Sequence, residues 1–332
     1  MSNTALPTTT LGTTGLPVTR VGLGLAALGR PAYITLGRDA DLGTDRARPT
    51  LEQRCHDMLD AAYEAGIRYV DAARSYGRAE EFLASWLGAR ALAPDALTVG
   101  SKWGYRYTGA WSMSASVHET KDHTLAMFRE QMPQTTALLG THLDLYQVHS
   151  ATLESGVLDD HAVLRALAEL RDSGVAVGLT VSGPRQADAV RHALELGVDG
   201  VNPFSTVQAT WNVLEPSVGP ALEQARARGW GVLVKEALAN GRLTDHGEGA
   251  ARRALEMVAT RHGVSIDQVA LAAALGQPWA DVVLSGAVTR SQLQSNLGAL
   301  ELALTEQDWD ELASVSEAAA DYWSRRGALP WR

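Results

Sequence analysis

One pattern dominates this sequence of 332 residues: a short run of aliphatic or β-branched residues, a loop, and then ten or more residues with helical spacing. Runs with the strand pattern occur at residues 21–23, 68–71, 97–102, 143–149, 176–181, 200–208, 231–235 and 282–284. Helical patterns lie between and after them, at residues 50–65, 79–87, 117–139, 160–173, 186–196, 216–228, 249–262 with 266–275, and 291–300. The alternation predicts parallel strands joined by right-handed crossovers, and eight units favour a closed (β/α)8 TIM barrel of the α/β class over an open sheet.

Segments outside the repeat are predicted to complete the barrel. Residues 8–11 and 18–21 flank a turn at Gly15, so an N-terminal β-hairpin is expected to plug one barrel end, and residues 306–316 predict an extra C-terminal helix. Nothing resembling a linker separates these parts, so residues 1–332 are interpreted as a single domain. The long loops at residues 37–49 and 104–116 follow strand ends and are expected to form the mouth of a site.

Composition narrows the function classes. The formal net charge of -9 argues against nucleic acid as a partner. A single cysteine, Cys55, excludes an intramolecular disulfide and a multi-cysteine zinc site. The first ten residues lack a secretion-signal pattern, and Pro278 and Asp281 interrupt the most apolar stretch, residues 269–288. A cytoplasmic protein without membrane contact is expected, and the oligomeric state stays open.

Four polar residues lie at or just after the ends of three successive predicted strands: Asp71, Tyr76, Lys102 and His149. In a closed barrel these ends converge, so the side chains are expected to share one pocket. Each residue alone has an ordinary structural explanation, as a turn residue, a loop aromatic, a solvated charge or a core histidine. Their combination at matching strand ends favours a catalytic site.

The segments YVDAARSYG, GSKWGY and LYQVHS, which carry these residues, resemble the catalytic tetrad pattern of the aldo-keto reductases. LGTTGLPVTRVGLG is similar to the family's opening hairpin and ALANGRLTD to its segment after strand seven, so the resemblance covers nearly the whole chain. It implies an NAD(P)H-dependent oxidoreductase that interconverts a carbonyl and an alcohol.

The tetrad chemistry explains the residue types. Hydride reduction of a carbonyl leaves an alkoxide that needs a proton, and Tyr76 can supply it as general acid. Lys102 would stabilise the phenolate, Asp71 would hold and charge-balance Lys102, and a neutral His149 would hydrogen-bond the carbonyl oxygen. In the reverse direction Tyr76 would act as the base.

The resemblance also implies positions for a nicotinamide dinucleotide. Ser182 and Gln208 would bind the nicotinamide carboxamide, although a helix cap and a buried strand amide are alternative roles, and Gly183 replaces an asparagine common in the family. Leu238 lies in the cofactor-contacting segment after strand seven. Lys235 replaces a tyrosine that commonly stacks on the nicotinamide; it could pair with Glu236 or extend beneath the ring, where its charge would favour the reduced cofactor.

A second cofactor segment, SGAVTRSQLQSN, resembles the family's adenosine-phosphate region. Its matching positions are Gly286, Thr289, Gln292 and Asn296, with Ser295 replacing a common glutamate. Arg290 is a candidate for a 2′-phosphate contact, and a solvated arginine at a capped helix start is the alternative. NADP(H) is therefore the expected cofactor, and NAD(H) is the alternative.

Other segments of the sequence suggest alternative sites or functions. GLGLAALG lacks the third glycine of a dinucleotide fingerprint, and the histidines of HETKDH are five apart, which predicts a helix start and no metal site. Trp103, Trp111 and the tail residues Trp323 and Trp331 are candidates to line the pocket of a sugar or an aromatic carbonyl, with Trp111 ahead of the others because it lies in a long mouth loop. The competing functions are a nicotinamide-binding regulatory subunit with little turnover and a barrel hydrolase or lyase using Asp71 and His149.

Overall fold

A computed structural model describes residues 6–332. Its twelve strands in this range are β1 Thr8–Thr10, β2 Pro17–Thr19, β3 Val21–Gly24, β4 Tyr69–Asp71, β5 Thr98–Trp103, β6 Tyr105–Tyr107, β7 Glu119–Lys121, β8 Leu145–Ala151, β9 Ala176–Val181, β10 Thr206–Thr210, β11 Gly231–Lys235 and β12 Val282–Ser285. Eight of them form a closed barrel in the order β3, β4, β5, β8, β9, β10, β11, β12, and every neighbouring pair is parallel. The predicted TIM barrel is confirmed.

Helices surround the barrel, and they cover the outer face of its strands. They are α1 Arg38–Leu42, α2 Arg48–Glu64, α3 Ala79–Ala89, α4 Leu125–Leu139, α5 His161–Asp172, α6 Gln186–Leu194, α7 Gly219–Ala227, α8 Gly249–His262, α9 Ile266–Leu275, α10 Arg290–Gly298, α11 Glu306–Ala313 and α12 Ala319–Gly327. Because both faces of the strands are covered, β4 and β5 are buried along their whole length.

The first hairpin plugs the end of the barrel where the strands begin. β1 and β2 pair in antiparallel fashion, and Leu11 and Val18 are buried in a small cluster with barrel residues such as Leu233. Gly12 has a φ of 53°, and a Cβ on it would lie 2.2 Å from the Gly231 nitrogen. Only glycine allows the hairpin to approach β11 this closely. The opposite end, where the strands finish, stays open for a site.

Residues 104–139 differ from the prediction of a loop followed by one long helix. β6 pairs with β7, with Arg106 opposite Thr120, and α4 begins only at Leu125. The Thr124 hydroxyl caps this helix by accepting a hydrogen bond from the Met127 nitrogen at 3.3 Å. The HETKDH segment is therefore a strand and a loop, not a helix start, because pairing with β6 satisfies its backbone.

The C-terminal region also contains more structure than predicted. The expected helix ends at Ala313, and α12 adds a second helix in the segment interpreted as a tail. Trp331 then pairs with Ile34 in an isolated antiparallel bridge, so the last residues lie beside the loop after β3. Among residues 6–332, no helix has the length and apolar character needed to cross a membrane. The expectations of a single domain over 1–332 and of no secretion signal include residues 1–5, which lie outside the described residues.

Candidate active site

A cavity of about 570 Å³ opens where the barrel strands end. It extends from the tetrad region past β11 to the start of α10. The predicted site residues that line it are Asp71, Tyr76, His149, Gln208, Lys235, Leu238, Gly286, Gln292 and Asn296. These positions span most of the chain, and the closed barrel brings them together.

A fully buried ion pair forms the floor of the site. Lys102 on β5 pairs with Asp71 at the end of β4 and also donates to the Ala72 carbonyl at 2.8 Å. Asp71 Oδ2 accepts from the Tyr69 hydroxyl at 3.1 Å and from Gln208 Nε2 at 2.9 Å. Burial lowers the pKa of Lys102, and the adjacent Asp71 carboxylate opposes that shift. The pair therefore holds an ammonium inside the barrel.

Tyr76 lies directly above this pair. The Lys102 ammonium is 4.8 Å from the centroid of its ring, and the tyrosine is 9% exposed. Burial, reinforced by the Asp71 carboxylate, raises the pKa of Tyr76 well above its usual value. The expected stabilisation of the phenolate is thus outweighed here, and the phenol is a proton donor across the neutral pH range.

His149 completes the group from β8. Its ring centroid is 5.4 Å from that of Tyr76, and its Nδ1 is 3.3 Å from the Ser75 hydroxyl. Burial, together with cations including Lys102, lowers the pKa of His149 well below its usual value, so the ring is neutral. Within residues 6–332, Nε2 has no hydrogen-bond partner, and it is available to a carbonyl oxygen in the cavity.

Charged residues that sequence reasoning missed form another wall. Arg30, 2% exposed, donates to Glu119 on β7 at 2.8 Å. Its guanidinium carbon lies 4.9 to 5.1 Å from the ring centroids of Tyr33, Tyr76 and Trp331. The loop after β3 has no hydrophobic period, so no sequence signal indicates that Arg30 reaches Tyr76.

Lys235 does not form the anticipated pair with Glu236. Its ammonium donates to the Thr210 hydroxyl at 2.8 Å, and Glu236 instead pairs with Arg326 of α12 through two nitrogens, with an Nη2 to Oε1 distance of 2.5 Å. Glu236 and the cavity-lining Ser150 have φ values of 56° and 52°, which non-glycine residues rarely adopt. Such strain is typical of functional sites.

The Glu236–Arg326 pair is expected to fasten α12 to the barrel. Arg326→Met leaves a buried carboxylate without its cation and is expected to lower the free energy of unfolding by about 3 kcal/mol or more. Arg325→Met is the matched control, because Arg325 is 61% exposed and its pair with Glu317 contributes little. Urea titrations measure both; equal effects of the two substitutions would contradict the role of the pair.

The far end of the cavity is polar and partly acidic. With its amide oxygen accepting from Ser285 Oγ, Asn296 donates to Asp267 at 3.1 Å. Gln292 donates to Asp41 at 2.8 Å. Thr289 caps α10 by accepting from the Gln292 nitrogen and does not line the cavity.

The predicted site residues that lie outside the cavity lining are Ser182, Lys102, Thr289, Arg290, Trp103, Trp111 and Trp323. Arg290 is 61% exposed and lies 3.7 Å from Glu64. Trp103 packs in the core against Phe128, with ring centroids 5.1 Å apart. Trp111 packs on Phe82 and donates to the Arg46 carbonyl. Trp103 and Trp111 are therefore not walls of this cavity, and of the two tail candidates Trp331 lines it while Trp323 does not.

The cavity fits an extended dinucleotide. Its lining is continuous from Tyr76 to Asn296, and a Cβ on Gly286 would meet no atom within 4 Å, so the chain leaves space there. Asn240 Oδ1 lies in the lining, buried and without a partner, where a ligand hydroxyl can donate to it. Among residues 6–332, no group of three acidic, cysteine or histidine side chains could hold a metal.

Comparisons with known proteins agree with this geometry. A model described as the Aldo/keto reductase family matches residues 22–317. The NADH-specific methylglyoxal reductase of Escherichia coli is 25% identical, covering 93% of this chain and 98% of its own. An uncharacterised oxidoreductase of Bacillus subtilis is 27% identical, covering 92% and 94%. The structure of an aldo-keto reductase from Bacillus halodurans superposes with a TM-score of 0.69 at 22% identity, covering 95% of this chain and 97% of its own.

Proposed function

The chain belongs to the aldo/keto reductase family, and on that premise we propose that it reduces small, polar carbonyl compounds to alcohols, with Tyr76 as proton donor. The observation that supports this most strongly is the convergence of Tyr76, neutral His149 and the buried Lys102–Asp71 pair on one cavity. Members of the family are NAD(P)-dependent oxidoreductases that act on small carbonyl substrates.

Each tetrad residue has a distinct task in this proposal. His149 and the Tyr76 hydroxyl bind the carbonyl oxygen and orient the carbonyl carbon toward the hydride, which the reduced nicotinamide supplies. Tyr76 transfers its proton to the oxygen as negative charge develops there. Lys102 then stabilises the phenolate, and Asp71 keeps Lys102 charged. Because the pKa of Tyr76 is raised, the phenol carries its proton at neutral pH, which is the form that reduction requires.

The substrate end of the cavity favours a polar molecule. Its lining includes Arg30, Glu119, Glu236 and Arg326, with one tryptophan, Trp331, at its edge. Paired charged groups beside an aromatic ring suit hydroxylated carbonyl compounds, which need several hydrogen bonds and one apolar face. A hydroxylated aldehyde or sugar therefore fits better than a large aromatic carbonyl. The name of the Escherichia coli relative, a methylglyoxal reductase, also supports a small carbonyl substrate.

We further propose NAD(H) as the favoured cofactor, which reverses the order expected from the sequence. That expectation depended on Arg290, which is exposed and does not line the cavity. Asp41 and Asp267 line the adenosine end instead, where carboxylates accept hydrogen bonds from ribose hydroxyls and repel a 2′-phosphate. The NADH specificity named for the Escherichia coli relative is consistent with this. The cytoplasmic location stays a prediction.

The role of the two carboxylates at the adenosine end of the cavity can be tested by removing their charges and measuring cofactor preference. Asp267→Asn combined with Asp41→Asn is expected to tighten NADPH binding by about tenfold or more, because two like-charge contacts with the 2′-phosphate are removed. The Kd for NADH is expected to change much less. Fluorescence titration with both dinucleotides measures this, and Arg290→Gln is the control, expected to leave both values unchanged. Loss of NADPH affinity in Arg290→Gln would instead support Arg290 as the 2′-phosphate contact and NADP(H) as the cofactor.

A turnover assay distinguishes the proposal from its two competitors. Consumption of NADH with glyceraldehyde, methylglyoxal or 4-nitrobenzaldehyde is the expected result for a reductase. Tight cofactor binding with no turnover across aldehyde and sugar panels would indicate a regulatory subunit. Absence of any dinucleotide binding would favour a hydrolase or lyase that uses Asp71 and His149.

A further inference from the structure

The reacting end of the cavity carries one more cation than its neighbouring carboxylates neutralise. Three carboxylates lie there, and each has its own basic partner: Asp71 pairs with Lys102, Glu119 with Arg30, and Glu236 with Arg326. Lys235 is the additional cation at the strand ends, whereas Arg38, which also lines the cavity, donates to the Ala27 and Arg30 carbonyls. The Lys235 ammonium is bonded to the Thr210 hydroxyl, and within residues 6–332 it forms no ion pair with a carboxylate.

Glu236, at the end of the same strand β11, is the nearest candidate to neutralise Lys235, but both of its carboxylate oxygens already accept hydrogen bonds from other residues. Arg326 donates to both of them, at 2.5 and 3.1 Å, and the Thr210 hydroxyl donates to Oε2 at 3.2 Å. Thr210 therefore stands between the ammonium and the carboxylate. Glu236 attracts Lys235 across this hydroxyl without contacting it, so the charge of Lys235 also acts on whatever occupies the cavity.

Hydride transfer places the redox ring near Lys235, if the proposed function holds. The reacting carbonyl must lie at Tyr76 and His149, whose ring centroids are 5.4 Å apart. The hydride donor must approach the carbonyl carbon to about 3–3.5 Å, so the nicotinamide shares this end of the cavity. Lys235 lines the same end, and its charge contributes to the lowered pKa of His149.

We propose that Lys235 makes this site bind the reduced dinucleotide in preference to the oxidised one. The oxidised nicotinamide ring carries a positive charge and the reduced ring is neutral, so an unneutralised ammonium beside the ring disfavours only the oxidised form. One consequence is that the oxidised cofactor is released readily after each turnover. This inference depends on the proposed function, because it requires a dinucleotide in the cavity.

Binding measurements without a substrate test the inference. Fluorescence and calorimetric titrations with NADH and NAD⁺ are made on the full chain and on Lys235→Gln, Lys235→Met and Lys235→Arg. In the glutamine and methionine variants, the ratio of the Kd for NAD⁺ to the Kd for NADH is expected to fall by about tenfold, mainly through tighter NAD⁺ binding. Lys235→Arg keeps the charge and is expected to keep the ratio.

A control variant tests whether the effect depends on the charge at Lys235 or would follow the loss of any nearby lysine charge. Lys121→Gln removes a lysine at the edge of the mouth, where its ammonium donates to the Ser150 carbonyl, and the ratio is expected to stay at the wild-type value. Thermal unfolding checks that each variant is folded. If NADH and NAD⁺ both bind and Lys235→Gln and Lys235→Met leave the ratio unchanged, this inference is wrong and the proposed function stands. If the wild-type chain binds neither dinucleotide, the proposed function itself fails.

Discussion

Replacing Tyr76 with phenylalanine is expected to lower kcat for carbonyl reduction by about 10²–10⁴-fold, while the Kd for the reduced dinucleotide stays unchanged. The substitution removes one hydroxyl, and with it the proton that the developing alkoxide requires. The ring remains to pack against His149 and beneath Arg30, so the cavity keeps its shape. Steady-state kinetics with glyceraldehyde and fluorescence titration with NADH measure the two quantities separately.

Tyr105→Phe is the matched control for this substitution. The Tyr105 ring centroid lies 4.9 Å from that of His149, but Tyr105 does not line the cavity. Loss of its hydroxyl is therefore expected to change kcat by less than about threefold, since it supplies no proton to the substrate. If Tyr76→Phe retained nearly full activity, or if both variants lost activity equally, Tyr76 would not be the acid.

Lys102→Met is expected to have the largest effect on stability. Asp71 would remain fully buried with only the Tyr69 hydroxyl and the Gln208 amide as donors, and such an unpaired buried charge costs about 3–5 kcal/mol. The free energy of unfolding from urea titration is expected to fall by that amount. Activity is expected to fall by about 10²-fold or more, because the phenolate of Tyr76 loses its neighbouring cation.

The double variant Asp71→Asn with Lys102→Met separates the effect of Lys102 on stability from its effect on activity. Removing both charges is expected to restore roughly half or more of the lost stability, because no buried ion is left unpaired. Activity is expected to stay at the level of the single variant. Recovery of activity together with stability would show that Lys102 acts only as a structural residue.

The barrel and the tetrad could be predicted because both follow from local patterns. Alternating strand and helix periods predict the eight units, and the closed barrel then brings Asp71, Lys102 and His149 together at its strand ends. The plug hairpin was predicted from a glycine turn between two short β-branched segments. These features require no knowledge of long-range side-chain contacts.

The charged wall could not be predicted, because its contacts join residues that are distant in sequence. Arg30 meets Glu119 across 89 residues, and Glu236 meets Arg326 across 90. Arg30 and Glu236 lie in loops, which have no period to indicate which side chain points inward. Strand alternation explains why Trp103 is not in the cavity: its neighbour Lys102 points into the barrel, so Trp103 points outward toward α4.

An isotope-labelling experiment can follow the hydride from the cofactor to the product. The protein is incubated with NADH that carries deuterium at both C4 positions of the nicotinamide and with a small hydroxylated aldehyde, and the product is analysed by mass spectrometry. The expected product carries one deuterium at the carbinol carbon for each NADH consumed, and Tyr76→Phe is expected to form it at least 10²-fold more slowly than the wild-type protein. Unlabelled alcohol, or no alcohol from a protein that binds NADH tightly, would contradict this expectation.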